Sequence, residues 1–109
     1  MDKTLADKLG LSLVQRTALE TLEENAKNRT TITYGELGRL IDVAPENVGK
    51  FLFPLQKKLN EVGYPPLNYL VVNKETGIPG DGANAPHNGK LIDPIKAREE
   101  VYQYFAQKR

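Results

Sequence analysis

Apolar residues recur every three to four positions in the first third of the chain, which is the spacing of an amphipathic helix. We predict a helix from about Leu13 to Lys27. Its apolar stripe consists of Val14, Ala18, Leu19, Leu22 and Ala26. Ser12 and Gln15 have the spacing of a capping box, in which each side chain accepts a hydrogen bond from a backbone N–H group. The helix should therefore begin after Ser12.

A short strand and a helix are predicted next, followed by a tight link to another helix. Thr30–Thr33 is β-branched and indicates a brief strand. Thr33 and Glu36 repeat the capping-box spacing, so a helix should follow from Tyr34 to about Ile41. Its expected buried residues are Leu37, Leu40 and Ile41. Gly35 and Gly38 each weaken a helix by about 1 kcal/mol relative to alanine, so we expect a close backbone approach at these positions.

A proline interrupts the following apolar stripe, which consists of Val48, Leu52, Leu55, Leu59 and Val62. Pro45 suits the first position of a helix. Pro54 lacks a backbone donor and clashes with the preceding turn. We therefore predict two helices at an angle, one from Pro45 to about Phe53 and one from Pro54 to about Glu61, with Gly63 as the final cap. Phe51 and Phe53 lie off the stripe and are candidates for exposure.

The last third of the chain combines a strand, a loop and a helix. Residues 68–73 (NYLVVN) give the strongest strand pattern, and Lys74–Gly77 indicates a turn before a partner strand that starts at Ile78. Residues 77–92 are rich in glycine and proline and are expected to form a flexible loop. Asp93 and Pro94 begin a C-terminal helix. Its predicted inner face carries Ile95, Val101, Tyr102 and Phe105.

This order of elements predicts an α+β fold: a single small winged helix-turn-helix domain with a C-terminal helix. The domain spans 1–109. Its parts are an N-terminal helix (1–29), the winged helix-turn-helix core (30–82), the flexible loop (77–92) and the C-terminal helix (93–109).

Composition narrows the chemistry. The 109 residues are 39% apolar and include no cysteine, which excludes disulfides, thiolate nucleophiles and cysteine-ligated metals. A net charge of +1 argues against a highly basic nucleic-acid coat protein. No apolar run approaches the roughly 20 residues of a membrane helix, and the N-terminus does not resemble a secretory signal. We expect a soluble cytoplasmic protein.

No catalytic or metal-binding pattern stands out. His87 is the single histidine and lies in the predicted loop, where a solvated role is expected. Asp81 and Asn84 do not fit a calcium-binding loop. We therefore predict no metal, no cofactor and no catalysis. A small enzyme that uses Asp81, His87 or Asn68 is kept as an alternative to a binding protein.

Three short motifs follow one another within about residues 30–82. They are the T-Y-G-E-L run 33–37, Val48-Gly49, and Leu70-Val71-Val72 followed by Gly77. In these motifs the chain resembles the DNA-binding domain of alkylguanine-DNA alkyltransferases and alkyltransferase-like proteins. The resemblance implies a winged helix-turn-helix scaffold. It also implies that Tyr34 contacts a DNA phosphate.

At two positions the chain lacks the residue on which the family's activity depends. Asn68 and Tyr69 occupy the positions of the reactive cysteine and the following histidine, and alkyl transfer requires a thiolate. Glu46 occupies the position of the arginine that enters the DNA stack, where a carboxylate is repelled by phosphates. The resemblance therefore implies the scaffold without alkyl transfer or base flipping. A looser similarity of residues 65–82 is to small bacterial and phage proteins.

These observations predict non-catalytic DNA binding. The expected contacts come from polar and basic side chains around the predicted helix that begins at Pro45, which would enter a groove, with Lys50 and Arg39 on phosphates. The complete predicted set is Tyr34, Arg39, Asn47, Lys50, Lys57 and Lys74. The alternative is a winged-helix adaptor or inhibitor that binds protein, for example in a phage or a defence system. Glu46, the near-zero charge and the aromatic C-terminal helix favour this alternative.

Overall fold

The computed structural model describes residues 8–75, 77 and 93–107 of the chain. Within them, helices and two very short strands share one apolar core. The elements are α1 (Leu13–Lys27), β1 (Ile32–Thr33), α2 (Tyr34–Ile41), α3 (Pro45–Glu61), a 3₁₀ turn (Leu67–Leu70), β2 (Val71–Val72) and α4 (Pro94–Gln107). The α+β class is confirmed for this part of the chain.

Helix α1 begins where its capping box predicts. The Gln15 backbone N–H donates to Ser12 Oγ at 3.2 Å, and the Ser12 N–H donates to Gln15 Oε1 at 3.0 Å. The buried residues are Ala18, Leu19, Leu22 and Ala26. The predicted place of Val14 in this stripe is wrong, since its side chain is 40% exposed. Residues four apart are rotated by about 40° around a helix, so Val14 lies at the edge of the stripe that Ala18, Leu22 and Ala26 define.

Helix α2 packs tightly against the link that follows it. The capping box of Thr33 and Glu36 is present. A Cβ atom on Gly38 would lie 2.4 Å from the Val43 carbonyl oxygen, which confirms the expected close approach. Gly35 has no such contact, so that expectation is wrong there. The expected burial of Leu40 is also wrong, since its side chain is 58% exposed.

Helix α3 continues through Pro54, so the predicted division into two helices is wrong. Pro54 and Lys50 are both exposed, so the carbonyl that loses its helical donor lies on the side facing water. On the opposite side Leu52, Leu55 and Leu59 are buried. Burial of each leucine contributes about 1.5–3 kcal/mol. Together these residues outweigh the cost of one proline, about 3 kcal/mol. The helix ends before Gly63, which has φ +74°.

The predicted strand 68–73 is largely a 3₁₀ turn, and only Val71 and Val72 are extended. They pair in parallel with β1, Ile32 beside Val71 and Thr33 beside Val72. Because β1 passes directly into α2 after Thr33, it offers two residues for pairing and no more. The preceding prolines also favour turns, as Tyr69 N–H donates to the Pro66 carbonyl at 3.1 Å.

Helix α4 closes the core over α1 and the 3₁₀ turn. The Asp93 carboxylate accepts from the Ile95 N–H at 2.9 Å, which confirms the predicted start. Val101, Tyr102 and Phe105 are buried as predicted. Ile95 is 54% exposed, so its assignment to the inner face is wrong; Ala97 is buried instead.

The aromatic rings of α4 pack mainly inside the molecule. Tyr104 and Phe105 meet edge to face with a centroid distance of 5.2 Å. Tyr64 contacts both rings, and its hydroxyl donates to Glu23 on α1. Burial, together with that bond, raises the pKa of Tyr64. Tyr64, which follows α3, therefore links the aromatic residues of α4 to α1.

The predicted wing is described only at its base. Gly77 N–H donates to the Asn73 carbonyl at 2.8 Å and Gly77 has φ +70°, so the predicted turn is confirmed. The partner strand from Ile78, and the loop residues Asp81, Asn84 and His87, lie outside the described residues.

Candidate nucleic-acid interface

One face of α3 carries three of the predicted contact residues. Asn47, Lys50 and Lys57 are all exposed. Their spacing within a single helix places them inside an arc of about 80°. The predicted break at Pro54 would place Lys57 on a separate helix. The continuity of α3 through Pro54 instead places it on the same face as Lys50, about 10 Å further along the axis.

Arg39 lies in the last turn of α2, exposed and close to the link before α3. It borders a depression of about 360 Å³ whose other lining residues are Gly35, Gly38, Asp42, Val43, Ala44 and Pro45. Hydrogen bonds from Thr33, and to a smaller extent the charge of Arg39, lower the pKa of Glu36. The surface of α2 is therefore close to neutral, with one cation beside one carboxylate.

Tyr34 and Lys74 lie at the same edge of the two-stranded sheet. Tyr34 follows β1, and Lys74 lies two residues after β2. Because the strands are parallel and in register, their carboxyl ends meet at one edge. Tyr34 is half-buried and packs against the core, whereas Lys74 is exposed. The fold brings the two predicted residues to one edge, although much of the tyrosine surface is already covered.

The turn that carries Lys74 is fixed by side chains that sequence reasoning did not identify. Asn73 Oδ1 accepts from the Glu75 N–H at 2.8 Å. Arg98 on α4 donates to the Gly77 carbonyl at 3.1 Å and to the Tyr69 carbonyl at 3.4 Å. These contacts span 21 and 29 residues, so no local pattern could predict them. Arg98 thus ties the base of the turn to α4.

Asn68 and Tyr69, the two positions that the resemblance aligns with a reactive cysteine and the following histidine, are interior. Asn68 is 9% exposed and Tyr69 is 2% exposed. The Asn68 N–H donates to Gln56 Oε1 at 3.2 Å, while Asn68 Oδ1 has no hydrogen-bond partner among the described residues. Burial raises the pKa of Tyr69. Asn68 thus joins the 3₁₀ turn to α3 through its backbone N–H, and Tyr69 is a buried residue of the same turn.

The two phenylalanines of α3 differ in exposure. Phe51 is half-buried and packs against the core, while Phe53 is 57% exposed. Phe53 lies three residues after Lys50 and four before Lys57. An aromatic ring therefore stands between two of the predicted cationic contacts.

Acidic side chains flank the same helix. Glu46 lies in the first turn of α3 and Glu61 in the last, and both are exposed. Lys50, Lys57 and Lys58 lie between them in the sequence, with Lys58 in the last turn, so the positive charges of α3 are bracketed by carboxylates.

No group of three or more histidine, cysteine, aspartate or glutamate side chains within the described ranges could hold a metal ion. No helix in this part of the chain has the length and apolar character needed to cross a membrane. Comparison of the chain with protein-family models, curated proteins and solved structures gives no match.

Proposed function

We propose that this protein binds DNA without modifying it, through a winged helix-turn-helix scaffold similar to that of alkyltransferase-like proteins. The observation that carries the proposal is the continuous helix α3, which presents Asn47, Lys50 and Lys57 on one exposed face after a three-residue link from α2. An α-helix fits the major groove of B-DNA, which is about 12 Å wide. In this proposal α3 enters a groove and the turn at Lys74 forms the base of the wing.

The proposed contacts divide into two groups. Lys50, Lys57, Arg39 and Lys74 neutralise phosphates, which positions the protein without reading sequence. Asn47 is near the start of α3, where its amide can reach a base edge, and Tyr34 would touch the backbone. With only four proposed cationic contacts and a net charge of +1, we predict a micromolar dissociation constant. The affinity should fall as the salt concentration rises, because neutralisation of phosphates releases counterions.

A titration with labelled duplex DNA at low salt tests the proposal. Binding should be detected by fluorescence anisotropy at micromolar protein. No binding of the duplex at tens of micromolar protein, which lies within the roughly 1–100 μM range of non-specific affinity, would remove the proposal that α3 enters a groove.

Charge reversal at one position on α3 and one on α2 tests the proposed contact surface. Lys50→Glu and Arg39→Glu should each weaken binding equally for unrelated sequences and flatten the dependence on salt by about 0.9 per lost phosphate contact. Lys96→Glu is the matched control, since it reverses an exposed lysine on α4. Equal losses from all three variants would show that net charge matters and that the proposed contact surface on α2 and α3 does not.

The exposed ring of Phe53 favours a second candidate function, a protein-binding adaptor, because aromatic residues are enriched at protein interfaces. Capture of partners from a lysate with and without nuclease separates the two functions. Partners that disappear after nuclease treatment support DNA binding, whereas partners that persist support the adaptor.

A further inference from the structure

We propose that Phe53, together with Lys50 and Lys57, forms a stacking site for an unpaired base, so that the preferred ligand is single-stranded DNA. The inference rests on the proposed DNA binding and specifies which form of DNA is bound. It depends on one juxtaposition: an exposed aromatic ring with a lysine about one helical turn away on each side.

The helix geometry brings these three side chains together. Residues three and four apart lie beside each other on a helix surface, so Phe53 neighbours both lysines. The lysines are about 10 Å apart along the axis, with the ring between them. Long side chains in a helix lean toward the preceding turn. Gly49 lies in that turn, four residues before Phe53, and has no side chain that could cover the ring.

The flanking charges favour a nucleic-acid strand over an apolar protein surface. Lysine is depleted at the centres of protein interfaces, where its ammonium group would lose its water. A single strand satisfies both features at once, because its phosphates pair with the lysines while a base stacks on the ring. In an intact duplex the bases are already stacked on each other, and the ring has no exposed base face to contact.

The absence of tryptophan from the sequence makes a direct test possible. Phe53→Trp creates a single fluorescent reporter at the proposed site. Ile95→Trp is its control, because Ile95 is similarly exposed but lies on α4. Titration with a short oligothymidylate should quench the emission of the first variant and leave the second unchanged.

Affinity measurements give the second arm. Phe53→Ala should weaken binding of the oligothymidylate by about 5- to 140-fold, the range that base stacking on one aromatic ring provides. Affinity for a blunt duplex of the same length should not change, and Ile95→Ala should affect neither ligand. Phe53→Ala is expected to fold, because the side chain is exposed and alanine is the better helix former.

The outcomes distinguish this inference from the proposed function. If duplex and single strand bind equally and the Phe53→Trp emission is not quenched, stacking is wrong while DNA binding stands. If neither form of DNA binds, both proposals fall. If Phe53→Ala leaves DNA binding intact but abolishes capture of a nuclease-resistant protein, the ring serves a protein partner and the inference is overturned.

Discussion

Gly38 lies where α2 comes closest to the link that follows it. The Val43 N–H donates to the Gly38 carbonyl at 2.8 Å, and the Val43 carbonyl lies over the position that a Cβ atom on Gly38 would take. Asp42, between them, adopts a left-handed conformation with φ 58°. One small residue thus permits the sharp change of direction that joins the two helices of the proposed DNA-binding unit.

Gly38→Ala should therefore destabilise the protein although alanine favours helices. The added carbon would meet a backbone oxygen at 2.4 Å and the Val48 side chain at 3.3 Å. Overpacking of this kind costs about 1–3 kcal/mol. A backbone oxygen at 2.4 Å cannot rotate away, so we expect a cost toward the upper end, above the gain of about 1 kcal/mol in helix propensity. Urea unfolding measures the result. Gly35→Ala is the control, since its nearest neighbour would be 4.0 Å away, and it should be stabilising. Equal effects of the two variants would contradict this account.

At the scale of the element, α3 shows how packing overrides local preference. The proline at position 54 predicts a break, yet the helix continues because its apolar stripe is buried on the side away from the proline. The continuity of α3 matters for the proposed DNA binding. Lys50, Phe53 and Lys57 share one rigid element, so their relative spacing does not depend on a hinge.

Pro54→Ala should increase stability without changing the path of α3. The substitution restores a donor for the Lys50 carbonyl and removes a steric conflict, which predicts a gain of up to about 3 kcal/mol in the free energy of unfolding. Pro45→Ala is a matched control, because proline is well suited to the first turn of a helix. A shift of the urea midpoint for Pro54→Ala no larger than for Pro45→Ala would refute this explanation of the continuous helix.

Elements with local causes were predictable from sequence, and those with distant causes were not. Both capping boxes act over three residues, and α1 and α2 begin where these patterns indicate. The strand at 68–73 depends on its partner, and β1 offers only two residues. In the candidate interface, the exposure of Lys50 follows from its place off the apolar stripe. The contacts of Arg98 come from α4 and leave no trace in the local sequence.

At the scale of the whole molecule, a polar contact joins the end of α1 to α4. Arg29 follows α1 in a left-handed conformation, φ 55°, and donates to both Glu99 oxygens at 2.7 and 3.0 Å. Its guanidinium carbon lies 4.8 Å from the centre of the Tyr102 ring. Gln103 donates to the same carboxylate at 3.0 Å. The contact bridges 70 residues and holds the first helix to the last.

This contact predicts an acid-sensitive part of the stability. Hydrogen bonds from Arg29 and then Gln103 lower the pKa of Glu99 in the folded chain. The contribution should be fully present above the usual glutamate pKa and be lost as pH falls through the lowered value. Glu99→Gln should therefore be less stable than the wild type at neutral pH, by a small amount because the pair is exposed to water.

Urea midpoints for the two proteins should converge in acid, where the wild-type carboxylate is protonated. Glu100→Gln, at the neighbouring residue outside this contact, controls for the loss of one negative charge and should track the wild type over the same pH range. A difference between Glu99→Gln and the wild type that persists unchanged below the lowered pKa would mean that side-chain packing, and not the ion pair, joins α1 to α4.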